Sequence, residues 1–481
     1  MTERKPSPAA DDSLPTRAQG QSARGPLVSP IGVALAGGAA QGAIYEIGAL
    51  RALDEALEGF DLVDAGIFVG VSAGGFLSAC MANGLSTDQM CRAIVKDELG
   101  EHPFVPENFF RPATKEIGQR LLKAPGLIGS GLMRFATRRE KRLLDALTGV
   151  GSALPTGIFD NEPMREYVAK IFDRPGRTDD FRELNQRLAV VATDIESGEA
   201  TVFGRPGWDH VPISKAVQAT TALPGLYPPV EIDGRRYVDG ILRRTMHASV
   251  ALNAGAKMVF CINPVVPVDT RQATRRMELP EGYLIDQGLP AVLGQTIRTM
   301  IHSRMNLGLR SYDKLFPEAS VLLIEPSSDD HRIFFSNIFS FSMRRVVCER
   351  AYVATHHFLR HRREEIEASL EPFGIGLNHD FLDDPAPDVW ASVGLPEFGA
   401  EAPEVARPVP SAAKVKKAAE KAAAKAEKAA AKAEQTAQED AVLSDLDGLL
   451  ERVERLVEAR RAADLPVEAS APSSSEEPAA V

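Results

Sequence analysis

The first strong pattern in the chain is an unbroken apolar run, Ile31 to Ala36, that ends in two glycines. Short apolar runs closed by turn residues predict buried strands. Ile67–Val71 repeats the pattern, and so do the runs from Leu188 to Thr193, Lys257 to Ile262 and Ser320 to Ile324. Between the first two runs, Ile44, Ile47, Leu50, Leu53 and Leu57 recur at every third or fourth position, which predicts a helix over 43–58 with one buried face. Strands alternating with helices predict an α/β fold with a mostly parallel central sheet. Residues 230–240 (VEIDGRRYVDG) read as a hairpin turning at Asp233-Gly234.

The pattern also divides the chain. Residues 1–30 carry Ser, Pro and charge without the apolar stretch of a secretory signal, and read as a disordered tail. The compact region runs over 31–375, with a helical insert at about 88–150. From Arg111 to Arg142 the insert has nine Lys/Arg against two acidic residues, so it reads either as a solvated cap or as a basic face for an anionic membrane. Phe334, Phe335, Phe339 and Phe341 form either a lipid-facing lip or an ordinary core patch. Residues 376–410, rich in Pro, Ala and Glu, read as a linker. An Ala/Lys-rich tract and then a heptad-like stretch make a helical tail over 411–465, and 466–481 read as disordered. Val442, Leu446, Leu449, Val453 and Leu456 are spaced 4-3-4-3, which suits weak self-association through 442–456 or a plain amphipathic helix.

Composition narrows the classes. Apolar residues make up 44% and charged residues 25%, which is globular. A net charge of −11 argues against a specific nucleic-acid partner. Cys80, Cys91, Cys261 and Cys348 form no CxxC pair, which suits a reducing, cytoplasmic setting.

Three short motifs carry candidate chemistry. Gly70-Val71-Ser72-Ala73-Gly74 is a G-x-S-x-G pentapeptide between a buried strand and a helix, the setting of a nucleophile elbow. Gly70 and Gly74 keep the turn thin, and a helix N-terminus behind Ser72 favours developing negative charge. Gly37-Gly38-Ala39-Ala40-Gln41-Gly42 follows the first strand, where exposed amides make an anion site. That anion is a phosphate or an oxyanion, and the nearby elbow favours the oxyanion. Ser72 needs a base. Asp239-Gly240 ends the returning hairpin strand; the other option is His247, with Asp194 or Asp239, in the order Ser, Asp, His.

Taken together and in this order, the loop at 37–42, Gly70–Gly74 and Asp239-Gly240 resemble the patatin-like phospholipase family, as do residues 189–203 and 216–240. The resemblance covers roughly 31–265. It implies a three-layer α/β/α patatin-like domain and a Ser–Asp dyad, with Ser72 as nucleophile and Asp239 as general base, and it implies no metal or organic cofactor. The amides of Gly37, Gly38, Ala39 and Ala40 would form the oxyanion hole, supported by Gly42 and Gly240. The implied activity is hydrolysis of carboxylic esters of phospholipids or related lipids through an acyl-enzyme, with lipid or another acyl ester as substrate. Alternatives are a storage-polyester (polyhydroxyalkanoate) depolymerase, or a scaffold peripheral to a membrane or storage granule. Three positions depart from the family's pattern: Ala39 and Gln41 replace a glycine and a cation of the loop, and Ile241 follows Asp239-Gly240.

Overall fold

A computed structural model of the chain describes residues 26–95, 111–113, 155–243, 246–330 and 341–396. Most of the expected insert, Phe334, Phe335, Phe339 and all of the tail from 397 onward lie outside the described residues, as does the basic stretch from 114 to 142. The chain divides into Met1–Pro403 and Glu404–Val481; only the first contains described residues.

The strands of the main sheet are β1 (Ile31–Leu35), β2 (Ile67–Val71), β3 (Arg187–Asp194), β4 (Ala200–Phe203), β5 (Val230–Ile232), β6 (Arg235–Asp239), β7 (Met258–Ile262) and β8 (Ser320–Ile324). Their order is β8-β7-β1-β2-β3-β6-β5, with β4 paired to β3 off that path. The five strands from β8 to β3 are mutually parallel, and β4, β5 and β6 join antiparallel. The main helices are α1 (Ala39–Ala56), α2 (Ala73–Ala82), α3 (Thr87–Val95), α4 (Glu162–Phe172), α5 (Ile213–Thr220), α6 (Ala248–Asn253), α7 (Leu289–Leu315) and α8 (Phe341–His361).

Successive residues of a strand point to opposite faces of the sheet. Val33, Leu35, Phe68, Leu188 and Val190 enter one core with α1, α2, α5 and α8, whereas Ala34, Val69, Val71, Ala189 and Val191 enter a second with Ala248, Ala251 and Tyr312 of α6 and α7. Helices therefore cover both faces, which is why the central strands are apolar throughout rather than alternating. The three-layer arrangement matches the expectation from the sequence. Among the described residues no helix is long and apolar enough to cross a membrane.

One boundary differs. The stretch expected to open a linker at 376 is folded up to 396. Gly376–Leu377 pairs antiparallel with Leu57–Glu58 just after α1, and Leu377, Leu382, Val389, Trp390, Val393 and Leu395 all join the first core. The Trp390 indole donates to the Glu349 carboxylate on α8. The polar and proline-rich composition that suggested a linker belongs to the caps and turns between these few apolar anchors: Asn378 and Asp388 each accept from the first turn of a short helix. We predict that Trp390→Ala lowers unfolding free energy by about 3–5 kcal/mol, read by denaturant titration, because it empties a fully buried site and strands Glu349. A linker tryptophan would cost nothing measurable.

Candidate active site

Ser72 is the first residue beyond β2, at φ 53° and ψ −124°. That left-handed region is uncommon for an L-residue with a side chain and costs on the order of 1–3 kcal/mol. It throws the side chain out of the turn between strand and helix. Close packing demands the flanking glycines. A Cβ on Gly70 would lie 2.2 Å from the Gly74 carbonyl oxygen, and one on Gly74 would lie 2.5 Å from the Ala36 oxygen. That Ala36 oxygen accepts from the Gly74 amide at 3.2 Å, so the elbow is bonded directly to the strand that leads into the glycine loop.

The sheet register brings Asp239 to the same point. Along β3, β2 pairs with residues 187–191, so Val71 stands opposite Val191. β6 pairs with residues 192–194 and ends with Asp239 opposite Ala192. β4 occupies the other edge of β3 over 190–193. β2 and β6 thus lie end to end on one edge, running toward each other, and their C-terminal ends deliver Ser72 and Asp239 to adjacent positions. Gly240 turns the chain away beneath this junction, where a Cβ would lie 2.3 Å from the Val191 oxygen.

The Asp239 side chain is almost wholly buried. Its Oδ1 accepts from the Ile241 amide at 2.9 Å. Burial pushes its pKa up to about 7, against hydrogen bonds from the Ile241 amide and from Ser72 that favour the ionised form. The Ser72 amide donates to Thr220 Oγ1 at 2.9 Å, and the Thr220 hydroxyl donates in turn to the Val191 carbonyl. The strained elbow is therefore tied to the central strand through one side chain.

The glycine loop closes the site from the β1 side. Gly38 is the N-cap of α1 and supplies no side-chain cap, so the first-turn amides of Ala39, Ala40 and Gln41 form the positive end of the helix dipole at the cavity wall. Gly37 passes so close to Ser72 that a Cβ there would lie 3.1 Å from the serine Cβ. Gly38 and Gly42 face Pro264 at distances that leave no room for a larger residue at 38. The buried Gln41 Nε2 has no hydrogen-bond partner among the described residues.

Ser72, Asp239 and this loop open on one cavity of about 350 Å³, within the size range of small-molecule sites. Its walls are mainly apolar, from Phe76, Met164, Leu223, Leu226, Ile297 and Ile301. Among the described residues Arg298 is its one cationic wall residue, and burial lowers the pKa of that guanidinium. A smaller apolar hollow of about 60 Å³ beyond Ala43 and Phe76 shares those two residues with the main cavity.

The other histidine and aspartate options are not brought here. His247 is the N-cap of α6 in the opposite layer and is absent from the residues lining the cavity. Asp194 Oδ1 caps the turn after β3, accepting from the Glu196 and Ser197 amides. Thr220 and Arg298 are the residues that motif reasoning missed. Thr220 lies in the run Ala219-Thr-Thr-Ala222, which looks like any helix end, and Arg298 lies on a helix far beyond the last motif.

Residues 33–252 match the family model described as Patatin-like phospholipase. Over these residues the chain is similar to that family. Among solved structures, the patatin-like region's chain resembles VipD from Legionella pneumophila at 14% identity and TM-score 0.30, covering 78% of this chain and 74% of that one. It also resembles human GIVD cytosolic phospholipase A2 in complex with methyl gamma-linolenyl fluorophosphonate at 14% identity and TM-score 0.23, covering 53% of this chain and 44% of that one. ExoU of Pseudomonas aeruginosa, in complex with SpcU, matches at 14% identity and TM-score 0.21, over 60% of this chain and 53% of that one.

Two outcomes follow from the patatin-like site. Thr220→Val strands the buried Ser72 amide and lowers stability by about 1–3 kcal/mol in chemical denaturation, while Thr220→Ser keeps it within about 0.5 kcal/mol of wild type. A loss in Thr220→Ser with none in Thr220→Val would mean that packing of the methyl, not the hydroxyl, is what matters. For Asp239, the folded pKa of about 7 lies above the unfolded 3.8. The folded state therefore binds the extra proton, and stability falls as pH rises from about 4 to 7. A shift of that size corresponds to on the order of 4 kcal/mol as an upper bound. Asp239→Asn should thus be more stable than wild type at pH 8, with the gap closing near pH 4 in thermal melts.

Proposed function

We propose that the chain is a serine acyl hydrolase that cleaves carboxylic esters of lipids, with Ser72 as nucleophile and Asp239 as general base. The observation that carries this reading is the meeting of Ser72 and a buried, weakly acidic Asp239 at one point of an apolar cavity. A serine hydroxyl is a poor nucleophile without a base, and a carboxylate in water is too weak a base to help. Burial raises Asp239 to about 7, close to where a general base works best at neutral pH.

The steps follow from the geometry. Ser72 Oγ attacks the ester carbonyl as its proton passes to Asp239. The negative charge that develops on the carbonyl oxygen falls to the amides of Gly37, Gly38, Ala39 and Ala40 at the head of α1. The Gln41 amide nitrogen stands beside them where the family's loop carries a cation. Asp239 returns the proton to the leaving alcohol. Water, activated by the same carboxylate, then releases the acid from the acyl-serine. The apolar walls of the cavity suit the acyl chain, and the hollow beyond Phe76 extends that apolar space. The polyester alternative rests on the tail at 411–465, outside the described residues.

The test is hydrolysis of short- and long-chain p-nitrophenyl esters. Ser72→Ala and Asp239→Asn should each lower kcat/KM by at least about 100-fold, with His247→Ala within about threefold of wild type. Because only ionised Asp239 can take the proton, kcat/KM of the wild type should rise with pH through an apparent pKa near 7. A folded His247→Ala without activity, or a rate insensitive to Asp239, would overturn the dyad.

A further inference from the structure

We propose that one face of α7 docks the protein on an anionic lipid surface and sets the cavity mouth against it; the inference rests on the lipid-ester reading above. The helix spans Leu289–Leu315, so it is about 40 Å long. Its inner side is fixed to the domain. The Gln295 side chain exchanges two hydrogen bonds with the Val268 backbone, and Met305, Leu309 and Tyr312 pack on the second core.

The outer side is unlike an ordinary solvated helix face. Leu289, Leu293, Ile297, Met300 and Leu307 follow one another at helical spacing and are from 50% exposed at Ile297 to 67% at Leu289 and Leu307. Scattered exposed leucines need no explanation, but an aligned apolar row marks a surface built to meet something apolar. Two further observations choose the occupant. The first is continuity: Ile297 belongs both to this row and to the cavity wall, and Gly294, Arg298 and Ile301 of the same helix line that wall. An apolar path therefore runs from the helix surface to Ser72, which is what a substrate leaving a lipid layer requires. The second is charge. In a chain of net charge −11, α7 carries Arg298, Arg304, Arg310 and Lys314 against a single acidic residue, Asp313. Arg304 stands in the row between Met300 and Leu307, and Arg304, Arg310 and Lys314 are exposed. Apolar side chains flanked by arginines match an interfacial helix on anionic headgroups.

The test uses the full-length chain with vesicles of equimolar phosphatidylcholine and phosphatidylglycerol, and with phosphatidylcholine alone. Binding is read by co-sedimentation and activity by a soluble short-chain p-nitrophenyl ester. The triple variant Leu289→Glu, Leu293→Glu, Leu307→Glu changes only exposed residues outside the cavity wall. It should lower partitioning to the anionic vesicles by more than about tenfold and keep soluble-ester turnover and melting temperature near wild type. Arg304→Gln with Arg310→Gln should weaken binding to the anionic vesicles and remove the preference over phosphatidylcholine. Unchanged vesicle binding in the triple variant overturns the proposal. So does a wild-type dimer that the triple variant converts to monomer while neither binds vesicles, since the face would then join two copies. If the wild type hydrolyses no ester yet loses vesicle binding in the triple variant, the hydrolase reading falls and the docking face stands.

Discussion

The site depends on a single constraint of the sheet: one edge of β3 is shared by two strands that meet end to end. β2 holds that edge as far as Val191 and β6 takes it from Ala192 onward. Neither strand can be extended without displacing the other, so both must turn away at the same place. Strand ends are where side chains leave the ladder and become available for chemistry. Here two ends coincide, and the residues at the two ends are a serine and an aspartate separated by 167 positions' worth of chain. The precision comes from backbone hydrogen bonds and not from long side chains, which is the most rigid support a fold offers.

That junction is costly in two ways, and the fold offsets both locally. The backbone of Ser72 sits at φ 53°, and among the described residues no cation lies beside the buried Asp239. Thr220 bonds the strained amide to β3, and the Ile241 amide supports the carboxylate. Neither device neutralises Asp239. A lysine or arginine in contact would stabilise the fold but would hold the carboxylate ionised and lower its basicity. The domain instead carries a buried, weakly acidic carboxyl beside Ser72. The surrounding core, apolar on both faces of the sheet, supplies the stability that tolerates it.

The parts of this arrangement that repeat locally were legible in the sequence. The strands at 67–71 and 320–324 are short, mainly apolar runs whose limits the structure reproduces, and the elbow is written in five consecutive residues. What depends on distant partners was not. Leu377 and Trp390 lie in a stretch rich in Pro, Asp and Ala with no regular apolar spacing, and their burial is decided by α1 and α8 lying alongside. Thr220 acquires its role only because β3 passes beneath α5's end. The order of β2 and β6 along β3 has no local signature at all, since pairing register is a property of three strands together. The exposed row on α7 is periodic enough to be seen as helix, but its outward direction is known only once Met305, Leu309 and Tyr312 are found on the inner side.

The departures from the family's loop pattern take a physical meaning from the same geometry. A side chain is intolerable at Gly38, where a Cβ would lie 2.7 Å from both Gly42 Cα and Pro264 Cγ. At Ala39 the difficulty is conformational instead: φ is 52°, but the residue is exposed, so its methyl meets solvent and the cost is the left-handed backbone alone, on the order of 1 kcal/mol. The amide direction that an oxyanion would need is unaffected by that methyl. Ile241 likewise adds bulk without obstructing. Its amide donates to Asp239, and its side chain lies against Gly37, closing the floor between base and loop and lining the cavity. The bulky residue after the Asp-Gly pair thus packs between the buried carboxyl and the glycine loop.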